Sequence, residues 1–261
     1  NSMWPKNGRS MIWGMDYSPD GSLWFTDESY DSIWKFTTED KKYQRLDYPS
    51  KGNSLPQKLK VDGSQIVIND FTGNKITFLD PAQPNDSLRY LNLPSPVNGS
   101  VTGDFTIDSN NNVWYTNWLF QQGGVLIKLD QEGFRNSIAT VSGDLISPLD
   151  YIDLFPIPPE LFTPNGIAVS NDLVWLADTS GSSIFSFDPT TQQFTQYVTS
   201  DPKLSTYGNS TGLIKSPISR PYWIKTNSEG QLVFNEQTSN SIAILDPKSE
   251  SLVEYLIPSK N

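Results

Sequence analysis

The sequence predicts an all-β fold of the β-propeller class, built from four-stranded antiparallel blades. The first observation is the stretch Trp13–Phe36, WGMDYSPDGSLWFTDESYDSIWKF, which reads as three short strands joined by two turns. The second is that this pattern returns four more times along the chain. The third is a 12% aromatic content, with eight Trp, and no long apolar run at helical spacing, so we expect almost no helix. Repeats of several short strands are typical of propeller blades.

The first repeat shows how the strands are predicted. Its apolar residues are β-branched or aromatic and are bounded by turn residues, which indicates strands rather than helices. Pro19-Asp20-Gly21 supplies the first turn, because Pro presets φ and Gly accepts a positive φ. The three predicted strands are Gly14–Ser18, Leu23–Thr26 and Ile33–Phe36.

The later repeats follow the same order of a turn, an apolar strand with a polar end, a loop and another apolar strand. The aligned mid-strand residues are Trp24, Val67, Trp114, Trp175 and Val233, at spacings of 43, 47, 61 and 58 residues. We therefore predict one propeller domain over residues 1–261, with repeats at about 12–50, 55–95, 101–141, 163–199 and 219–259.

A fourth strand completes each predicted blade as an antiparallel meander. The predicted fourth strands are Tyr43–Leu46, Leu88–Leu91, Phe134–Ala139, Phe194–Val198 and Leu252–Leu256. Two interpretations of the blade number stay open. Either five blades close by contact of the first with the last, which we place first, or the chain is part of a six- or seven-bladed ring.

The meander places the end of strand two, the loop after it and the link to the next blade at one end of each blade, here called the upper face. An acid ends strand two in four repeats, at Asp27, Asp70, Asp178 and Glu236, and Asn117 takes the place in the third. Carboxylates that converge on one opening would attract Ca²⁺ or Mg²⁺. The alternative is that each side chain hydrogen-bonds the backbone of a neighbouring turn. No organic cofactor is predicted.

Aromatic side chains are also predicted near the upper face. Rings around a cleft suit sugars, peptides or flat apolar ligands, whereas the alternative is ordinary packing between blades. The candidate ligand-binding residues are Trp13, Tyr30, Trp118, Phe120 and Tyr222. Two long connections, 142–162 and 199–219, lie at the same end; the first is apolar and is expected to cover this face or to meet a partner.

Composition excludes several classes of function. The chain has no His, so Ser-His-Asp and Cys-His catalysis are excluded, and it has no Cys, so disulfides and thiolate metal sites are excluded. A net charge of −10 without a basic cluster argues against nucleic acid as a partner. No apolar run is long enough to predict a membrane-spanning helix.

Three N-x-Ser/Thr sequons lie in predicted loops, where a glycan would be solvated. They begin at Asn85, Asn98 and Asn209. Chance is the alternative, because the chain is rich in Asn, Ser and Thr. The sequons favour an extracellular or cell-surface glycoprotein, which could be part of a larger surface assembly.

The repeat resembles that of the virginiamycin B lyase, or streptogramin lyase, family. The shared order is a turn, Leu or Val, Trp, an apolar residue, Thr or Ala, Asp or Asn, a loop and then Ile-x-x-Phe or Ile-x-x-Leu, and PDGSLWFTDESYDSIWKF is the best copy of it. The resemblance extends from Ile12 to Pro258. It implies seven blades and a Mg²⁺-assisted elimination that opens a cyclic depsipeptide.

The resemblance also implies where the site residues lie. The family's catalytic His opens the first strand of a blade, and a Glu that ends a second strand lies beside the metal. The positions that match the His are Trp13, Gln57, Gly103, Asn165 and Tyr222. The acidic position is kept at Asp27, Asp70, Asp178 and Glu236, so the acids persist and the base is replaced.

Two functions follow. The favoured one is a non-catalytic propeller, with no catalytic residues, that binds a protein, glycan or small ligand at the upper face. The alternative is a divalent-metal-dependent lyase or hydrolase that acts on a cyclic ester or peptide-like substrate with a base other than His. Asp178 and Glu236 would then hold the metal, with Tyr222 as the polar neighbour.

Overall fold

Twenty strands form five four-stranded antiparallel sheets in the computed structural model. The structure describes residues 10–49, 54–83, 90–119, 122–140, 148–200 and 218–258. The fold class is the predicted all-β propeller, with five blades and little helix. The chain divides into two compact units, Asn1–Thr102 and Gly103–Asn261, which are described separately below.

Unit 1 contains blades 1 and 2, each a meander in sequence order. The strands of blade 1 are β1 (Ile12–Tyr17), β2 (Ser22–Asp27), β3 (Ser32–Thr37) and β4 (Lys42–Asp47). The strands of blade 2 are β5 (Pro56–Asp62), β6 (Gln65–Asp70), β7 (Lys75–Leu79) and β8 (Tyr90–Pro94).

Unit 2 contains blades 3, 4 and 5, and the boundary between the units falls within β9. Blade 3 consists of β9 (Val101–Ile107), β10 (Asn112–Leu119), β11 (Gly123–Asp130) and β12 (Ile152–Pro156). Blade 4 consists of β13 (Pro164–Ser170), β14 (Leu173–Asp178), β15 (Ser183–Asp188) and β16 (Gln193–Val198). Blade 5 consists of β17 (Pro221–Thr226), β18 (Leu232–Glu236), β19 (Ser241–Asp246) and β20 (Ser251–Leu256).

The fourth strand predicted at Phe134–Ala139 is wrong. Helix α1 (Gln131–Thr140) occupies this place, and the fourth strand of blade 3 is β12, inside the predicted connection 142–162. The Asp130 carboxylate accepts the Gly133 N–H at 2.9 Å, which caps the first turn of the helix. Blade 3 therefore extends to Pro156 instead of ending at 141. Residues 141–147, and 201–217 in the second predicted connection, lie outside the described residues.

The turns between strands one and two have the conformations that their sequences predict. Gly21, Gly63 and Gly230 have φ values of 82°, 61° and 79°, and Asn111 and Asn171 take left-handed values of 65° and 51°. Asn tolerates this region better than most residues with a side chain. These hairpins hold strands one and two in the register of each blade.

Neighbouring blades within each unit pack through apolar side chains from their middle strands. In unit 1, Trp24 and Ile33 of blade 1 pack with Leu59 and Ile68 of blade 2. In unit 2, one cluster joins blade 3 to blade 4 around Trp114, and another joins blade 4 to blade 5 around Trp175. The three mid-strand Trp residues, Trp24, Trp114 and Trp175, therefore belong to the core between blades.

Glycine occupies strand one where two blades approach most closely. A Cβ on Gly14 would lie 2.3 Å from the carbonyl oxygen of Gln57, and a Cβ on Gly166 would lie 2.0 Å from that of Tyr222. Both gaps are far below van der Waals contact, so these positions admit only glycine at the observed backbone spacing.

None of the helices in the described part of the chain is both long and apolar enough to cross a membrane.

Candidate functional site

The carboxylate of Asp70 holds together the start of its own blade. Asp70 ends β6 and is fully buried. It accepts the backbone N–H of Leu55 and of Gly73, each at 2.8 Å, and the hydroxyl of Ser54. The Lys75 ammonium lies 3.5 Å away. Both carboxylate oxygens are therefore used by donors from the link before strand one and from the loop after strand two.

Asp178 has the same role in blade 4. It accepts the N–H groups of Thr163 at 2.9 Å, Phe162 at 3.3 Å and Ser180 at 3.1 Å. Burial raises the pKa of the Asp178 carboxyl, and the three backbone donors act in the opposite direction. In blade 1, Asp27 accepts the N–H of Met11 at 3.2 Å.

A short sequence signal accompanies two of these acids. Asp70 and Asp178 are each followed three residues later by glycine, at Gly73 and Gly181. A Cβ at Gly73 would lie 2.1 Å from an Asp70 oxygen, and a Cβ at Gly181 would lie 2.8 Å from an Asp178 oxygen. The Asp-x-x-Gly pattern is therefore a local sequence signal for a carboxylate that accepts hydrogen bonds from the following loop.

Protein donors already use part of the hydrogen-bonding capacity of these three carboxylates. Each of them accepts at least one backbone N–H, and no group of three or more His, Cys, Asp or Glu side chains suited to a metal occurs among the described residues. Asn117, the fifth residue of the set, is buried at the end of the predicted strand two. The backbone-capping interpretation is favoured for Asp27, Asp70 and Asp178. Metal binding, and convergence of the acids on one opening, stay predictions.

Glu236 departs from this pattern. It ends β18 and is 1% exposed, but its donors are the hydroxyls of Thr199 and Ser219. Its Oε1 atom has no hydrogen-bond partner among the described residues. Burial, together with repulsion from Glu254, raises the pKa of the Glu236 carboxyl to about 7, against the weaker effect of the two hydroxyls. This carboxyl changes its charge near neutral pH.

Three other polar atoms at the upper ends of blades 4 and 5 are buried and have no partner within the described part of the chain. They are Oγ1 of Thr179, Nε of Arg220 and Oγ of Ser239. Backbone bonds hold their segments together: the Arg220 N–H donates to the carbonyl of Gly181 at 3.1 Å, and the Arg220 carbonyl accepts the Gln237 N–H at 3.0 Å.

Arg220 also has an unusual backbone. Its φ of 59° lies in the left-handed region, which is uncommon for a residue with a long side chain. Such conformations cost free energy and concentrate at binding sites and ligand clamps. We call Thr179, Arg220, Glu236 and Ser239 the polar corner. It lies within unit 2, at the upper ends of blades 4 and 5. Of this set, only Glu236 is predicted from the sequence, because no local pattern distinguishes the other three.

The predicted aromatic residues differ in their accessibility. Trp13, Tyr30 and Tyr222 are half-buried near the upper ends of their blades. Tyr222 packs edge-on against Trp223, with ring centroids 5.3 Å apart, just beyond the polar corner. Trp118 lies within β10 and is 5% exposed. Phe120 lies outside the described residues.

Of the predicted glycosylation sites, Asn98 is exposed in the turn after β8, and Asn85 and Asn209 lie outside the described residues. The Ser100 hydroxyl of the first of these sequons is buried and donates to Asn74 at 2.8 Å. An exposed acceptor Asn is compatible with a glycan, and glycosylation stays a prediction.

A cleft of about 290 Å³ lies at the opposite end of the blades in unit 1. It is bordered by the Lys35–Asp20 ion pair, at 3.0 Å, and by the largely buried Trp24. The Lys35 ammonium lies 5.4 Å from the centre of the Trp24 ring. The ion pair is satisfied internally, so this cleft offers fewer unpaired polar groups than the polar corner.

Comparison with known proteins supports the fold. Neither a family model nor a curated protein matches the sequence. Among solved structures, a catalytically inactive virginiamycin B lyase from Staphylococcus aureus with quinupristin, in which one His is replaced by Ala, is 18% identical with a TM-score of 0.71. The match covers 98% of this chain and 73% of that one.

Other solved propellers are also similar. A nidogen/laminin complex matches at 13% identity and a TM-score of 0.64, covering 95% of this chain and 81% of that chain. A calcium-binding regucalcin from Agrobacterium tumefaciens matches at 12% identity and a TM-score of 0.59, covering 98% and 77%. At these identities the comparisons concern the fold alone: the chain is a β-propeller similar to the virginiamycin B lyases.

Proposed function

We propose that the chain is a non-catalytic β-propeller that binds a ligand at the upper face, with the polar corner as a main contact. The observation that carries the proposal is the set of buried polar atoms on Thr179, Arg220, Glu236 and Ser239 that have no partner among the described residues. Leaving such atoms unpaired costs about 1–3 kcal/mol each. A ligand that supplies hydrogen bonds to them would recover part of this free energy.

Two further observations support binding without catalytic turnover. The similar lyase structure is inactive with a single His replaced, and this chain has no His at all. The Asp carboxylates at the other strand ends are occupied by backbone donors. The similar propellers include one with quinupristin and one in a nidogen/laminin complex, so small molecules and proteins both belong in a screen.

The second candidate function is a lyase or hydrolase that uses a carboxyl group as its base. One observation favours it: the Glu236 carboxyl has a pKa raised to about 7 and one oxygen without a donor among the described residues. A base with a pKa near the working pH is well matched to proton transfer. Incubation with quinupristin and millimolar Mg²⁺, followed by mass spectrometry, separates the candidates: we expect no ring opening, and Glu236-dependent product would reverse the ranking.

Replacing Arg220 tests the binding site. We expect Arg220→Ala to weaken a ligand found on glycan, peptide and small-molecule panels by about 10- to 100-fold, because hydrogen bonds to charged groups contribute about 1.5–3 kcal/mol. Titration calorimetry measures the change. Arg135→Ala is the matched control, because Arg135 is exposed on α1. Equal affinity in the two variants would remove the polar corner from the proposal.

We also propose an extracellular or cell-surface location, which the exposed Asn98 sequon supports. Intact-mass measurement of protein from its native source, before and after glycosidase treatment, tests it. We expect glycosidase treatment to lower the mass by the mass of at least one N-linked glycan.

A further inference from the structure

The contacts between neighbouring blades follow one rule on the inner strand. In blades 2, 4 and 5 the strand-one residue opposite the centre of strand two packs on the preceding blade. These residues are Leu59, Ile167 and Ile224, and they are 2%, 1% and 1% exposed. Each belongs to the apolar cluster that joins its blade to the one before.

Blade 1 breaks this rule. The equivalent residue is Met15, which lies opposite Phe25 and is 52% exposed. Ile12, at the start of the same strand, is 50% exposed, whereas the residues paired with the strand-two acid in blades 2, 4 and 5 are buried prolines. Phe25 and Trp34, further out on this face, are buried and stack on one another. The exposed part is thus an apolar edge along β1.

Blade 5 has an exposed apolar face on the side where a blade packs on the following blade. Tyr255 of β20 pairs with Ile242 as Leu46 of β4 pairs with Ile33. Leu46 is 7% exposed and lies in the cluster between blades 1 and 2, whereas Tyr255 is 56% exposed and its neighbour Val253 is 45% exposed. Blade 5 therefore leaves exposed the side chains that correspond to those with which blade 1 packs on blade 2.

A side-chain hydrogen bond between neighbouring blades also distinguishes blade 5 from the other blades. In three blades the residue before the end of strand two donates to a carbonyl at the start of the next strand one. The pairs are Thr26 to Gln57, Asn69 to Thr102 and Thr116 to Pro164, the last two at 3.2 and 2.8 Å. In blade 5 the residue is Asn235, whose Oδ1 accepts the Trp223 N–H at 2.6 Å. Its Nδ2 has no acceptor among the residues that the structure describes.

We propose that the chain associates head-to-tail with a second copy of itself. The outer face of blade 5 in one copy, around Tyr255 and Asn235, packs on the exposed β1 edge of blade 1 in the next copy, around Met15. A second copy is the occupant because each copy carries both halves of the contact that already joins neighbouring blades inside each unit. The interface is heterologous, so assembly continues until a ring closes.

Analytical ultracentrifugation of the full chain tests the proposal. We expect the mass to rise from 29.3 kDa to at least twice that value as concentration increases through the micromolar range. Met15→Lys removes one half of the contact and Tyr255→Lys removes the other, so each variant alone should stay monomeric. Both positions are more than half exposed, which makes folding of the variants a fair expectation, and circular dichroism verifies it.

Mixing the two variants makes the test specific. The Met15→Lys copy keeps the blade 5 face and the Tyr255→Lys copy keeps the β1 edge, so an equimolar mixture should form dimers and stop there. Val198→Lys, at a 72% exposed position on β16 of blade 4, is the control and should assemble like the unmodified chain. A monomeric unmodified chain, or a mixture that stays monomeric, would overturn the proposal.

Discussion

Asp70→Ala is expected to lower the free energy of unfolding by about 3–5 kcal/mol, because it leaves several buried hydrogen-bond donors without an acceptor. The N–H groups of Leu55 and Gly73 and the hydroxyl of Ser54 would lose their acceptor in a site from which water is excluded. The Lys75 ammonium would lose its partner as well. Urea denaturation, with folding followed by tryptophan fluorescence, measures the change.

The same experiment separates a structural carboxylate from a metal ligand. We expect the loss to be equal with and without millimolar Ca²⁺ or Mg²⁺, because the Asp70 oxygens are already occupied by protein donors. Asp47→Ala is the control, since Asp47 is an exposed acid at the end of β4, and it should change stability by less than about 0.5 kcal/mol. An unmodified chain that gains stability from either ion, with that gain lost in Asp70→Ala, would contradict the capping role.

Glu236→Gln is expected to act in the opposite direction. The pKa of this carboxyl is about 7 in the folded protein, above the value of 4.5 for an ordinary Glu. The folded state therefore holds the proton more tightly, and the stability of the unmodified chain falls as pH rises from about 4.5 to about 7. Gln cannot ionise, so the variant escapes this fall.

The predicted result is a pH-dependent gain. At pH 8 the variant should be more stable by about 1–3 kcal/mol, because each tenfold change in proton affinity corresponds to about 1.4 kcal/mol. Near pH 4, below both pKa values, the difference should shrink to within error. Thermal unfolding across this pH range measures it, with Glu229→Gln in an exposed turn as the control. Parallel curves for Glu236→Gln and the unmodified chain would show that the carboxyl titrates normally.

The strand order could be predicted from the sequence because the turns and strands are specified locally. Turns such as Pro19-Asp20-Gly21 fix where strands one and two meet, and the structure has them there. The predicted fourth strand of blade 3 was wrong because Phe134–Ala139 has apolar residues that suit either a strand or a helix. Two longer-range features decide: Phe134 packs on Tyr151, and β12 pairs with β11 in register Lys128 to Asp153.

The candidate site could be predicted only in part, because its contacts join residues that are far apart in the sequence. The sequence places an acid at the end of strand two, but the Leu55 and Thr163 N–H groups that donate to Asp70 and Asp178 lie 15 residues earlier in the chain. The contrast between these acids and Glu236 depends on the hydroxyls of Thr199 and Ser219, which meet only after folding. Arg220 carries no local signal, since its role depends on a buried nitrogen and a left-handed backbone.

The glycines on strand one limit how these repeats can be exchanged by recombination. Gly14 and Gly166 leave no room for a side chain against the backbone of the following blade, whereas the aligned positions in blades 2 and 5 hold Lys58 and Trp223. A gene in which blade 2 or blade 5 replaced blade 1 or blade 4 would force a large side chain into the neighbour's main chain. Although the repeats look alike in sequence, exchange of single blades would require a compensating change at this residue.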